Sequence, residues 1–355
     1  MAGEKLGSTR HTYMDVVRII GCILVVLVHI SNIDWLVYPI GGAQWKVLNV
    51  VNCLGMSGVP LFFMISGALF LHKDSKVSIP YVWKKIGMLF LFYVLCLLFY
   101  NLLPVVRMGT LSGLNKDFVK NIMMGNGIYH LWFLPVLMSL YAMAPILKKG
   151  FASKKNCESF LVIFLILGVT IPLILRYDWE TKEYLQSFQN RFAQYWYTGQ
   201  IGYFILGHYL HSFVGTLNRK KTIAAGVTGT LTMLLIIVCN NWDSVTGGFR
   251  SSNASTPMSL TCLVFVSSVF LFVKGIMKNV SSERCSRVLK YVASLSLGIY
   301  FIHPFVIDSV LWRLKLEQLM PNYVLLTLAR ILVVLLVSGL FAAVVKKIPV
   351  LKKLF

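Results

Sequence analysis

The chain has 355 residues, 57% of them hydrophobic and 13% charged, against about 25% charged in soluble domains. The shortfall lies in long uncharged runs that no soluble fold would have polar surface left to cover. The net charge of +21 is a matter of membrane topology and not of nucleic-acid binding, because the basic residues sit in short stretches between those runs. No P-loop, GxSxG elbow, HExxH helix or metal-spaced cysteine set is present, so ATP hydrolysis, soluble-type hydrolase chemistry and a bound metal have no support.

Several runs approach or exceed the roughly 20 apolar residues that cross a bilayer. They predict an all-α integral membrane protein, a bundle of about ten transmembrane helices. The expected spans are 16–36, 48–71, 83–106, 129–148, 159–177, 194–215, 222–240, 258–276, 291–312 and 323–345. A tail at 1–15 precedes them and a basic tail at 346–355 follows. No internal repeat or second domain is visible, and the first run lacks the cleavage site of a signal peptide.

The first run carries Asp15, Arg18 and His29. An ionisable group in hydrocarbon is costly enough to be read as functional. Arg18 and His29 are eleven residues apart, three helical turns plus roughly 20°, so they share a face at roughly 16 Å separation. Asp15 lies on the same face within pairing range of Arg18. An Arg at a membrane surface can hold a phosphate, and a deeper His can carry a proton. The pair therefore favours group transfer across the membrane's thickness over a merely structural histidine.

The second run contains Gly55, Gly58 and Pro60, which argue for a broken or tightly packed start. Its Ser66-Gly67 pair is read either as a site element or as a point of close helix approach. His130 and Trp132 open the fourth run, where Trp132 is read either as a site element or simply as an interfacial anchor. The sixth run is aromatic and polar for a lipid-facing helix and is expected inside the bundle or lining a cavity. In the ninth, Ser296, Tyr300 and His303 fall on one helical face, with Pro304 loosening the backbone. They form either a site or an interhelical hydrogen-bond seam. Arg330, in the last run, needs a partner the sequence does not name.

With the N-terminus inside, and residues at the span ends counted with the adjoining loops, 22 of the 34 Lys and Arg fall on the cytoplasmic side and 10 outside, leaving Arg18 and Arg330 within spans. That asymmetry supports ten spans with both termini cytoplasmic. The seven cysteines form no recognised pair and are expected to be free thiols.

Asp15-Val-Val-Arg18, ten residues and His29, then Leu61-Phe-Phe-Met-Ile-Ser66-Gly67, then Trp132-Phe-Leu134 with Tyr141 and Pro145, then Ser296, Tyr300 and His303 follow one another along the chain. In this order the segments resemble acyltransferase family 3, the multipass bacterial membrane O-acyltransferases, over about residues 12–345. The resemblance implies an acyl donor, commonly acetyl-coenzyme A, bound from the cytoplasm of a bacterial cell, with no resident cofactor. It implies an acceptor hydroxyl on a surface glycan or its lipid-linked precursor. The family's essential Arg and His carry over to Arg18 and His29, with Asp15 orienting Arg18. Ser66, His130, Trp132, Ser296, Tyr300 and His303 become candidates for holding substrate. Some members add an extracytoplasmic module, and this chain is expected to work with its membrane domain alone. Homo-oligomerisation stays open. The competing reading is a transporter or flippase of a small molecule or acylated glycan, since broken helices and buried polar groups suit that equally.

Overall fold

The computed structural model describes residues 12–75, 77–108, 119–120, 129–176, 182–191, 199–280 and 282–348, and every regular element among them is helical. The expectations for residues 1–11, 177, 194–198 and 349–355 lie outside the described residues. Helix α1 is Thr12–Trp35. It starts four residues before the expected Val16, which takes Asp15 into its first turn, where a carboxylate is favoured by the helix dipole. At 24 residues it is roughly 36 Å long, enough to cross a hydrocarbon core of about 30 Å.

The second run is interrupted as expected. Helix α2 (Ala43–Gly55) stops, Met56 and Ser57 form a turn, and α3 (Gly58–Phe70) resumes. Ser57 Oγ donates to the Leu54 carbonyl at 2.6 Å, supplying a donor at the break. The break is pressed onto α1. A Cβ on Gly55 would lie 2.4 Å from the Val28 amide nitrogen, and one on Gly58 would lie 2.9 Å from the Gly21 carbonyl.

Helix α4 is Ile79–Met108, α5 is Phe133–Gly150, and α6 is Lys154–Ile163. Helix α6 continues through a π-helical stretch, Phe164–Thr170, into Ile171–Ile174. Helix α7 (Lys182–Arg191) is short and polar. Helix α8 (Ile201–Ser212) follows, with Gly202, Tyr203, Phe204, Ile205, Gly207, His208 and Leu210 buried, so the doubtful sixth run packs inside the bundle. Helices α9 (Arg219–Gly247), α10 (Leu260–Ile276) and α11 (Glu283–Ala293) each start at a side-chain cap, from Asn218, Ser259 and Ser282. The expected ninth span divides. Helix α11 ends at Ala293, and after a turn α12 (Ser296–Phe305) runs on as a π-helix, Val306–Leu311. Helix α13 is Tyr323–Val345, capped by Asn322.

Among the described residues, seven helical segments are long and apolar enough to cross a membrane, and Leu260–Ile276 is a shorter apolar helix. The chain is a multi-pass integral membrane protein. Helix α13 shows the bilayer's effect on polarity. Its buried face carries Thr327, Arg330, Ser338 and Ala342, while Leu325, Leu328, Leu332, Leu336 and Leu340 are exposed. A water-soluble bundle would reverse that arrangement; in lipid, leucines meet the tails and polar groups turn inward.

Helix α1 is the hub, touching α2, α3, α10, α11, α12 and α13. Its Val26 and Ile30 pack with Ile302, Val306 and Val334, which brings α12 and α13 alongside. Arg330 finds its partners at the Trp35 end of α1. It donates to Asp34 Oδ2 at 2.6 Å and to Glu317, and the Tyr323 hydroxyl donates to the same Asp34 oxygen at 2.9 Å.

Candidate functional site

Three imidazoles from three separate elements meet in the half of the bundle nearer the Trp35 end of α1. His29 comes from α1, His130 from the turn Tyr129–Trp132 that leads into α5, and His303 from α12. The His29 and His303 rings are stacked with centroids 5.1 Å apart, and His130 stands edge-on to His303 at 5.4 Å. Tyr129 lies against His29 at 4.9 Å and Tyr300 against His130 at 5.2 Å.

Local sequence sets the orientation of His303. Pro304 has no amide hydrogen, so it cannot bond the carbonyl of Tyr300 four residues earlier. His303 Nδ1 takes over, lying 2.9 Å from that carbonyl and 3.1 Å from the Ile299 carbonyl. Carbonyl oxygens only accept, so Nδ1 carries the proton and Nε2 of the neutral ring presents a lone pair. Tyr100 of α4 braces the same turn, donating to the Phe301 carbonyl at 2.6 Å and accepting from the Phe305 amide at 3.3 Å. The π-helical stretch starts immediately afterwards, an irregularity common near functional sites.

His130 is buried, and its backbone carbonyl accepts the Tyr300 hydroxyl at 2.5 Å. The Tyr300 proton is therefore spent on bracing the His130 turn. Neither ring nitrogen of His130, nor Nε2 of His303, has a hydrogen-bond partner among the described residues. His29 is half-buried, between these rings and the exposed Tyr129. Among the described residues no group of three or more His, Cys, Asp or Glu is arranged to hold a metal ion.

The remaining sequence-predicted residues fall elsewhere. Arg18 and Asp15 lie toward the Thr12 end, Arg18 half-buried and Asp15 buried, each engaged in polar or electrostatic contacts. Because α1 is unbroken, Arg18 stays roughly 16 Å along the axis from His29. Ser66 joins that end, its hydroxyl 3.4 Å from that of Tyr141, which lies within electrostatic range of Arg18. Ser296 donates to the Ala293 carbonyl at 2.8 Å, at the joint between α11 and α12. Trp132 is exposed and makes none of the ring contacts that join the three histidines.

Sequence reasoning missed Tyr129 and Tyr100 at the histidine cluster. It also missed a set at the Thr12 end, where the Tyr13 hydroxyl meets His211 Nδ1 at 2.6 Å and the His72 ring lies 4.7 Å from that of His211. Tyr129 directly precedes His130 and was open to notice. The others come from elements far apart in the chain, and no local pattern marks them.

The family described as an acyltransferase domain, acyltransferase family 3, matches residues 11–344. Among curated proteins, the chain is similar to the probable poly-beta-1,6-N-acetyl-D-glucosamine export protein of Staphylococcus aureus. The protein of strain Mu50 is 22% identical over 303 residues, covering 82% of this chain and 81% of the relative. That of strain MRSA252 is 21% identical over 301 residues, with the same coverage. No solved structure matches.

Proposed function

The chain belongs to acyltransferase family 3, and on that premise we propose that it transfers an acyl group, in the first instance acetyl, from cytoplasmic acyl-coenzyme A to a hydroxyl of a surface glycan or lipid-linked glycan precursor. The observation that carries this reading is the meeting of His29, His130 and His303, with Arg18 on the same helix as His29 and nearer its other end.

Arg18, oriented by Asp15, holds the phosphates of the donor at the cytoplasmic mouth, and Ser66 and Tyr141 line the same end. The donor's arm extends along α1 toward His29. His29 takes the proton of the acceptor hydroxyl as that oxygen attacks the thioester carbonyl carbon. The carbon–sulfur bond breaks, and the departing thiolate receives the proton from His29. His303 and the braced turn at Tyr300 hold the acceptor. The topology that goes with this is ten spans, both termini cytoplasmic, in a bacterial cytoplasmic membrane. The histidines then lie toward the outer face, where a surface glycan is within reach.

The test is acetyl-coenzyme A binding and cleavage by the purified protein in detergent. Wild type should bind and slowly release free coenzyme A. Arg18→Ala should lose binding, and His29→Ala should keep binding but lose at least about a hundredfold in turnover, the usual scale of general-base catalysis. Full turnover in His29→Ala removes His29 from the chemistry.

The name of the staphylococcal relatives supports a second reading, export of a glycan by this chain. Donor dependence separates the two. If neither acetyl-coenzyme A nor other acyl-coenzyme A species is bound or cleaved, export is the reading to pursue.

A further inference from the structure

Three buried ring nitrogens of the histidine cluster, both of His130 and Nε2 of His303, have no hydrogen-bond partner among the described residues. The two side chains that carry them are 2% and 0% exposed. A buried polar group left unpaired is costly, so a ligand held against these rings has to answer these nitrogens. Their pattern is specific. His303 Nε2 only accepts, because Nδ1 carries the proton for the two carbonyls. Neutral His130 offers one donor and one acceptor. The occupant must therefore give a hydrogen to His303 and both give and take one at His130. An acyl chain can do neither, whereas hydroxyls do both.

We propose that His130, with His303, binds a second hydroxyl of the acceptor, adjacent to the one that is acylated, so that the preferred acceptor is a vicinal diol such as a sugar ring presents. His130 is then a specificity-determining residue. Tyr129, exposed and 5.6 Å from the His130 ring, adds a flat amphipathic face beside it. The Tyr300 hydroxyl on the His130 carbonyl holds the reading group still, as discrimination requires. The proposal rests on the acyl-transfer reading for its reacting hydroxyl but not for its binding step.

The experiment compares trans-1,2-cyclohexanediol with cyclohexanol as acceptors in acetyl-coenzyme A turnover by the full chain in detergent. For wild type, the diol should act at about tenfold lower concentration than the mono-ol, since a site built for a hydroxyl penalises its absence. His130→Phe keeps a ring but no hydrogen bonds and should bring the two within about twofold. His130→Gln, with one donor and one acceptor side, should restore most of the preference. An equal response of wild type to both alcohols, or an unchanged preference in His130→Phe, overturns the proposal. Should His130→Phe aggregate, His130→Met takes its place under the same criteria. If wild type cleaves no acyl donor, the transfer reading fails by itself, and ligand-observed NMR of the two alcohols decides the subsite. A diol-selective signal lost in the variant upholds it, and the absence of any difference between wild type and variant overturns it.

Discussion

Pro304 removes the amide that would have bonded the Tyr300 carbonyl, and the adjacent His303 supplies the missing donor through Nδ1. A two-residue pattern thus selects a tautomer and leaves Nε2 as an acceptor in the histidine cluster. The Tyr300 hydroxyl braces the His130 turn through its backbone carbonyl. Tyr300→Phe should lower stability by about 1 kcal/mol, the net worth of one hydrogen bond, seen as a shift in the thermal unfolding midpoint in detergent. An unchanged midpoint would mean the brace contributes nothing. Arg330 is the other residue whose surroundings decide its effect. Its bond to Glu317 holds that carboxyl below its ordinary pKa of 4.5. A depressed folded-state value means the stabilisation is complete above the unfolded value and is lost as pH falls through the folded one. The midpoint of wild type should exceed that of Glu317→Gln at neutral pH, and the gap should close as the pH is taken below about 4.5. A gap that persists in acid would assign the difference to something other than this pair.

At the level of elements, the decisive contacts are backbone against backbone. A Cβ on Gly67 would stand 1.7 Å from the Phe204 carbonyl oxygen, and one on Gly207 would stand 1.9 Å from that of Met64. Helices α3 and α8 therefore cross at glycines on both sides, as small residues permit between helices in lipid. The Ser66-Gly67 pair divides its work. Gly67 makes the crossing, and Ser66 turns its hydroxyl to Tyr141. Backbone cannot yield to a methyl group as a flexible side chain can. Gly67→Ala should cost about 3 kcal/mol or more, at the upper end of overpacking penalties, read as loss of the monodisperse peak in heated size-exclusion chromatography. An alanine variant as heat-resistant as wild type would show that α3 and α8 do not meet this closely.

For the whole molecule, α1 is both the hub of packing and the line joining the two polar ends. Arg18 and the Tyr13–His72–His211 set lie toward one end; His29 and the Arg330–Asp34 pair lie toward the other. The orientation proposed above puts the first end in the cytoplasm, and Cys285 tests it. Cys285 is the exposed cysteine near the start of α11, while Cys22, Cys53, Cys96, Cys157 and Cys262 are buried and Cys239 is half-buried. A membrane-impermeant maleimide should modify Cys285 only after cells are permeabilised, with Cys285→Ser as the control. Modification in intact cells would invert the orientation.

The amino-acid sequence by itself determined the membrane class, the positions of the apolar runs and the break at Gly55–Gly58, because hydrophobic length and glycine placement are local properties. It also determined that Arg18 and His29 share a face, since the helical repeat alone sets that angle. Only the tertiary structure decided that His130 and His303 join His29, that Arg330 pairs with Asp34 and Glu317, and that α8 meets α3 at Gly67 and Gly207. Those contacts join residues separated by up to 296 positions. In a bundle where nearly every helix is apolar, the pattern of a single helix does not say which neighbour it meets. Packing of glycines and the pairing of buried polar groups do.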